Sequence, residues 1–473
     1  MLADRPVHDP VFLQPLHTDE YAPEPLRAED RRAAASSRDR LRDAAARHHV
    51  EARRYSSGRT ATAAGLLSIN AEAGHDYYQV PAEAVEDAAA ADAAFSGSTP
   101  VIDVQTHYLA PRAAQGHHAA VRRRIYEALM PTWWTELDDI TAFTAADYVR
   151  NVFLETENSV AVLTSGPGHD PDNRNLFNDE MAATKALVDE YAGPGRLLNH
   201  VVVHANFRDE YEAMEEWNDR YTPVGWKVYT HQEGLKSPTD SGPSMGSWML
   251  DDQQFGQPFL ERARSLGVPL VCVHKGISQV AENGSPHDIG PAARAFPDLS
   301  FVVYHSGYEF PDPVGKSPDE AEYSDRSASF GSNRLIRSAE ECGIGPGQNI
   351  YPELGTTWFS LVRRPQAAAH FLGKMIKYFG EDNVIWGTDS IWYGSAQPLI
   401  DAFRAFQIPD DMCEKFGYAP LTTEVKQKIL GLNAARLYKI DLGLAEQYRS
   451  DNRADWADRL VRERLSGPFP LGR

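Results

Sequence analysis

Cysteine is scarce in this chain of 473 residues: only Cys272, Cys342 and Cys413, far apart, odd in number and without metal-site spacing. That excludes a disulfide-stapled scaffold and suits a reducing compartment. Long apolar runs are missing as well, and none approaches the roughly 18 residues of a membrane span. Positive charge is in deficit, with 47 Lys and Arg against 67 Asp and Glu and a net charge of −20. A phosphate backbone would be repelled, so nucleic acid is not expected as a partner. Glycine (34) and proline (31) fall well short of low complexity, and no internal repeat is visible. What is left is ordinary globular material, 42% hydrophobic and 24% charged, with ample substance for a core. A wholly disordered chain and a coiled coil are both excluded. The expectation is a soluble protein that meets neither nucleic acid nor membrane and acts on a small molecule.

Residues 1–98 differ from the rest. Ten arginines stand among many alanines between Arg27 and Arg59, with acidic residues interleaved, which favours helix. Arg53-Arg54-Tyr55 followed by the apolar stretch 61–70 has the look of a twin-arginine export signal. It begins about fifty residues from Met1, its apolar run is short, and no small-residue cleavage site follows. The expectation is a helical arm that keeps a degenerate signal as structure, in a cytoplasmic protein.

From Thr99 onward, short β-branched apolar runs alternate with helical stretches. The candidate strands are 101–107, 160–165, 199–206, 225–231, 268–274, 300–307, 349–354 and 384–389. Amphipathic segments such as 207–221 and 365–380 lie between them. Eight strands alternating with helices predict parallel pairing and a closed (β/α)8 TIM-type barrel over 99–440. A helix over 426–438 would close it, and a tail, 441–473, follows as a C-terminal extension. Loops 237–247 and 309–332 are long enough to be lids.

The strand ends carry the chemistry. In such barrels the active site is built at the C-terminal ends of several strands. Strand one ends in Gln105 and His107, which share a face by two-residue alternation. Strand four carries Lys227 and His231, strand five ends in His274, strand six in His305, strand seven has Glu353, and strand eight ends in Asp389. Alone, each has a bland reading. His204 and His231 could be hydrogen-bonded structural residues, Cys272 a core filler, and Asp389 a helix cap. Together, three imidazoles and a carboxylate at the mouths of strands one, five, six and eight suit one divalent ion, zinc first, with an open position for water.

The ordered set Ile102-Asp-Val-Gln-Thr-His107, Val271-Cys-Val-His274, Val303-Tyr-His305-Ser-Gly307, Trp386-Gly-Thr-Asp389 and Lys428-Ile-Leu-Gly-Leu-Asn-Ala-Ala-Arg436 resembles the amidohydrolase superfamily. Within it, the chain is similar to the branch of aminocarboxymuconate-semialdehyde-decarboxylase-like enzymes, over roughly Pro100 to Tyr438. The resemblance implies a barrel with a mononuclear metal centre. By position it makes His107 and His274 metal ligands, Asp389 a ligand near the reactive water, and His305 the acid/base on that water. The resembled enzymes are often dimers, which makes a homodimer the assembly to test.

One position departs from the family. The first strand normally has two histidines flanking one residue, and here the first is Gln105. Its neutral amide oxygen binds zinc-like ions more weakly than imidazole does. Gln105 is then a weak ligand, or His107, His274 and Asp389 hold the ion alone, or the metal has been lost. A harder ion such as manganese gains ground. Lys227 at the mouth would attract a carboxylate substrate or pair with a neighbouring acid. Glu353 would orient a ligand or bind substrate, and Trp358 and Trp392 would wall an aromatic pocket or pack loops. Three functions stay open: metal-dependent hydrolysis of a small organic substrate, non-oxidative decarboxylation of an aromatic or unsaturated acid, and non-catalytic binding on a decayed barrel.

Overall fold

The computed structural model describes residues 9–15, 25–50, 58–113, 143–166, 174–230, 247–276, 282–309, 317–450 and 453–465. Its strands are β1 (Val101–Thr106), β2 (Asn158–Leu163), β3 (Leu197–Asn199), β4 (Val201–Val202), β5 (Trp226–Tyr229), β6 (Leu270–His274), β7 (Ser300–Tyr304) and β8 (Ile350–Pro352). All neighbours pair parallel, in the orders β1-β2-β3 and β4-β5-β6-β7-β8. Helices cover the strands, so both strand faces are buried and the runs read as continuously apolar.

Two junctions join these sheets into a ring. β3 and β4 form one stave interrupted at His200. The His200 N–H donates to Leu163 O (3.1 Å), and the Val201 N–H to Gly225 O (3.1 Å). The last stave is the extended segment 384–390. Ile385 exchanges backbone bonds with Pro352 O (3.0 Å) and the Leu354 N–H (3.2 Å). Further along, Val104 N–H reaches Trp386 O (3.2 Å), Asp389 N–H reaches Gln105 O (2.9 Å), and His107 N–H reaches Ser390 O (2.6 Å). Parallel bridges Glu353–Ile385 and Thr106–Ser390 mark the same closure. The (β/α)8 barrel read from the strand count is the architecture found.

Alternate residues of the staves, Ile102, Val104, Val160, Val162, Leu270, Cys272, Val302, Tyr304 and Ile385, pack as one inner cluster. Ala434, Ala435 and Tyr438 join it from the segment after Thr423–Gln427, which plugs the N-terminal end of the barrel as the sequence suggested. Gly431 permits the approach, since a Cβ there would lie 2.1 Å from Pro100 O.

The strands end one to four residues earlier than expected at several mouths. His305 (φ 59°), Ser306 (φ 53°) and Asp389 (φ 61°) take left-handed conformations that leave the ladder and turn side chains inward.

The arm is packed helix: α1 (Ala28–Arg47), α2 (Arg59–Ala73) and α3 (Ala88–Phe95). The twin-arginine pair lies outside the described residues. The apolar stretch behind it is α2, buried from Thr60 to Leu66 and again at Ser68, Ile69 and Asn70. Arg27 bonds both oxygens of Glu320 (2.6 and 3.1 Å), and Tyr78 Oη donates to Val362 O (2.6 Å), fixing the arm to the barrel. After the barrel, Leu442–Ser450 and Arg453–Leu460 return over its side, where Trp456 meets Phe153 edge to face (5.4 Å). Among the described residues no helix is long and apolar enough to cross a membrane.

The barrel plug gives a direct test. Gly431→Ala is expected to lower stability by roughly 1–3 kcal/mol in urea unfolding, because the new methyl meets a backbone carbonyl that cannot step aside. Gly345→Ala, which meets open space, is the control and should leave the midpoint unchanged.

Candidate active site

At the open end of the barrel, Gln105, His107, His305, Glu353 and Asp389 are all buried and converge. Simple alternation would set Gln105 opposite Val104, which faces the inner cluster. A register irregularity between Asp103 and Thr106 resolves this, turning Gln105 inward beside His107. The Gln105 Nε2 lies 3.0 Å from Asp389 Oδ1, 3.5 Å from His107 Nε2 and 3.3 Å from His305 Nε2. His107 Nε2 is itself 3.0 Å from Asp389 Oδ1. His274 stands beside this group, its ring edge to face with His305 (centroids 4.7 Å) and against Tyr229 (5.5 Å).

Backbone groups set the protons. His107 Nδ1 lies 3.0 Å from Thr164 O, so this nitrogen carries the hydrogen and Nε2 presents a lone pair. That lone pair faces a carboxylate oxygen at 3.0 Å, two acceptors that call for a donor or a cation shared between them. His305 is wired the opposite way. Its Nδ1 accepts from the Thr356 N–H (3.2 Å), leaving the neutral ring's proton on Nε2, toward Gln105. Thr356 also donates its hydroxyl to Asp389 Oδ2, so one residue orients both the acceptor and the donor. Glu353 receives the His305 N–H on Oε2 (2.9 Å) and the Gly355 N–H on Oε1 (2.7 Å). Burial pushes its carboxyl up to about 7, with the nearby His305 opposing. With both oxygens taken by backbone, Glu353 holds His305 in place, the orienting half of its two expected roles. Glycines line this corner of necessity. A Cβ at Gly387 would lie 2.0 Å from Glu353 Oε1, and one at Gly355 would lie 2.5 Å from His305 Nδ1.

Residues 102–440, most of the chain, match the amidohydrolase family. The chain belongs to that family. The resemblance drawn from the five motifs therefore holds, and this amidohydrolase is an enzyme of a metal-dependent family. No curated protein matches it. Among solved structures it is similar to 2,6-dihydroxybenzoate decarboxylase from Rhizobium, at 14% identity over 73% of this chain and 100% of that one, with a TM-score of 0.40. It is similar also to an uncharacterised TIM-barrel protein from Bordetella bronchiseptica (15% identity, 73% and 99% covered, TM-score 0.43). A third likeness is to a dihydroxybenzoic acid decarboxylase from Polaromonas sp. JS666, solved with bound manganese and the inhibitor 2-nitroresorcinol (12% identity, 72% and 98% covered, TM-score 0.36). None of the three assigns a reaction.

The side chains of this amidohydrolase suit a single ion in one specific way. Among the described residues, no three His, Cys, Asp or Glu side chains form a group able to hold a metal. The nearest arrangement is a triangle of His107 Nε2, Asp389 Oδ1 and the Gln105 amide, with edges of 3.0, 3.0 and 3.5 Å. Neighbouring ligands on a first-row divalent ion stand about 3 Å apart at bond lengths of about 2.1 Å. Gln105 Oε1 is a buried acceptor with no hydrogen-bond partner, an oxygen available to a cation. The donor set fits, with an amide at the third corner, and the His107 ring has the backbone-anchored Nδ1 typical of a metal ligand.

Other expectations fall out as follows. Lys227 is buried with Nζ 3.4 Å above the Tyr304 ring and 4.7 Å from that of Tyr229, beneath the mouth. Trp392 stacks near His107 (6.0 Å) and meets Phe143 edge to face (5.2 Å), so it does border the site. Trp358 does not take the wall position. It packs on Phe403 and Phe406, and its Nε1 donates to Leu399 O (3.0 Å), because it sits on the helix face turned to Gln397–Ala405. His231 lies outside the described residues, as does most of loop 237–247. Loop 309–332, long enough to be a lid, is anchored over its described part. Buried Asp319 receives the N–H groups of Glu309 (3.1 Å), Ser332 (2.9 Å) and Asn333 (3.1 Å), and Lys374 Nζ clasps Asp319 O (2.9 Å). His204 has the bland role, tied to Glu210 (3.2 Å) and pushed down to about 4 by burial and Arg174. Cys272 fills the inner cluster against His200 (3.4 Å), and burial pushes its thiol up to about 12.

Thr356 was not anticipated; the only hint is the Gly-Thr-Thr that follows strand seven. Thr356→Val should cut turnover about 10–100-fold by freeing Asp389, while Thr356→Ser, which keeps the hydroxyl, should retain most of it. Steady-state kinetics of the two variants, with circular dichroism to confirm folding, provide the check.

Proposed function

We propose that this amidohydrolase hydrolyses a small organic substrate with one divalent ion seated by His107, Asp389 and the amide oxygen of Gln105, with His274 alongside. When bound, the ion supplies positive charge that polarises an electrophile or an attacking oxygen. Two of the three corners are oxygens, which favours manganese over zinc. Asp389, which would lend Oδ1 to the ion, accepts a proton at Oδ2. His305 donates a hydrogen bond from Nε2 to the charge developing on the leaving group, the proton Asp389 has taken passes on to that group, and Thr356 holds both residues in place. Glu353 holds the His305 backbone, Trp392 offers an aromatic wall, and Lys227 adds positive potential that favours a carboxylate-bearing substrate.

The observation that carries this reading is the Thr356 bridge. Hydrolysis needs a proton acceptor for water and a proton donor for the leaving group. Loss of CO2 needs only a donor, at carbon. Thr356 orients one of each, facing a common point.

Elemental analysis and a substrate screen test it together. About one equivalent of manganese or zinc is expected, with turnover of esters or amides that falls roughly 10²–10⁴-fold in His305→Gln. CO2 release from aryl carboxylates without ester or amide turnover would replace hydrolysis by decarboxylation. Failure to take up any metal after incubation with added ions would overturn both.

A further inference from the structure

We propose that the Gln105 carboxamide is an internal placeholder for the ion. Its –NH2 end satisfies the Asp389 and His107 lone pairs when the seat holds no ion, and a half-turn offers Oε1 when an ion arrives. The inference rests on the metal-dependent reading above and adds a second state of the seat.

Four observations carry it. First, the Gln105 Nε2 stands at the third corner of the seat, 3.0 Å from Asp389 Oδ1 and 3.5 Å from His107 Nε2, and an N–H2 group there can donate to both at once, in place of a cation between them. Second, Oε1 points into a buried corner without a hydrogen-bond partner, so the ion-free rotamer is bought with one orphaned acceptor. Third, the half-turn exchanges groups of nearly equal size about a broad, two-fold terminal torsion. It also has room. Gly355 flanks Oε1, where a Cβ would come to 2.9 Å, and Gly387 flanks the Gln105 Cβ, where one would come to 3.1 Å. Fourth, the backbone stays put through the turn. Gln105 N–H is held by Asp103 Oδ1 (3.2 Å), and Gln105 O accepts from Asp389 N–H (2.9 Å).

The tautomer of His305 agrees. With its proton on Nε2, it faces the amide nitrogen, another donor, at 3.3 Å; after the half-turn it faces an acceptor. An ionised carboxylate could not serve the empty state, because it carries no donor, and an imidazole would have to change tautomer or protonation state between the two. The consequence is a seat whose carboxylate and His107 lone pairs keep a donor when it is empty, at the cost of one orphaned acceptor and of weaker metal binding than a charged corner would give.

Chelator-stripped protein at pH 8 provides the test, with thermal melting and Mn2+ titration of the full-length wild type, Gln105→Glu and Gln105→Leu. Stripped Gln105→Glu should melt roughly 2–3 °C below stripped wild type, since a third acceptor then faces the other two. Mn2+ should reverse that order and bind Gln105→Glu about tenfold or more tightly, through the added charge. Gln105→Leu should lose Mn2+ binding and also melt below wild type when stripped. If stripped Gln105→Glu is as stable as wild type while Mn2+ still stabilises wild type, the placeholder falls and the metal reading stands. If Gln105→Leu keeps full Mn2+ affinity, the placeholder falls even should Gln105→Glu fail to fold. If Mn2+ and Zn2+ shift none of the three proteins, the metal reading falls and takes the placeholder with it.

Discussion

A buried carboxylate holds this barrel shut. Asp103 takes the Gln105 N–H (3.2 Å) and Thr388 N–H (3.0 Å) on one oxygen. Its other oxygen takes the Thr388 hydroxyl (2.6 Å) and Asn158 Nδ2 (3.5 Å). Taking a carboxylate out of water costs several kcal/mol, and burial pushes this one up to about 7. Hydrogen bonds to a charged group return about 1.5–3 kcal/mol each, so the bonds around Asp103 offset part of its desolvation, and the raised pKa marks the part left over. No ladder could do the same, since 384–390 is too irregular for continuous pairing with β1. The clasp sets Gln105 and Asp389, 284 positions apart in sequence, within hydrogen-bonding reach.

Above the clasp, main-chain groups aim the site's side chains. Thr164 O orients His107, Thr356 N–H orients His305, and the N–H groups of His305 and Gly355 hold Glu353. Backbone partners move less than side chains do, so the two histidines keep opposite tautomers: His107 bare at Nε2, His305 protonated there. That difference leaves one imidazole offering a lone pair and the other an N–H from the same ring position. The staves supply the rigidity, and the residues just past their ends supply the aim.

Much of this was legible in the sequence, for reasons that differ by residue. The staves announce themselves as short apolar runs because both of their faces are buried. The site announces itself as polar residues ending those runs. Two-residue alternation linked Gln105 to His107 correctly, yet it could not foresee the irregularity that turns the pair inward, because a bulge leaves no mark on composition. Thr356 was invisible for a related reason. Its role lies partly in its N–H, which every residue but proline has. Loop 309–332 looked like a lid by length and polarity alone, while the feature that pins it, Asp319 beneath three backbone N–H groups, depends on tertiary position. Trp358 was misread because aromatic residues after a strand serve pockets and cores alike, and only the facing helix decides which.

The amide at position 105 could be taken for decay, leaving a barrel that binds without catalysing. Backbone strain argues otherwise. His305, Ser306 and Asp389 each hold a left-handed φ without being glycine, at roughly 1–2 kcal/mol apiece. Buried Glu353 and the two glycines that make room for it add to what the fold must carry at this one corner. A fold relieved of chemistry gains stability by relaxing such features, and most turns elsewhere use the cheap solution, glycine at positive φ, as at Gly267 and Gly343, although His49, Thr222 and Lys439 also hold a positive φ. Here the strained positions carry an imidazole and a carboxylate aimed at one point. The strain is retained where a reacting group would sit, and Gln105 bonds to the very atoms that strain positions. Gln105 therefore stands beside a histidine and a carboxylate that the fold still holds in strained positions.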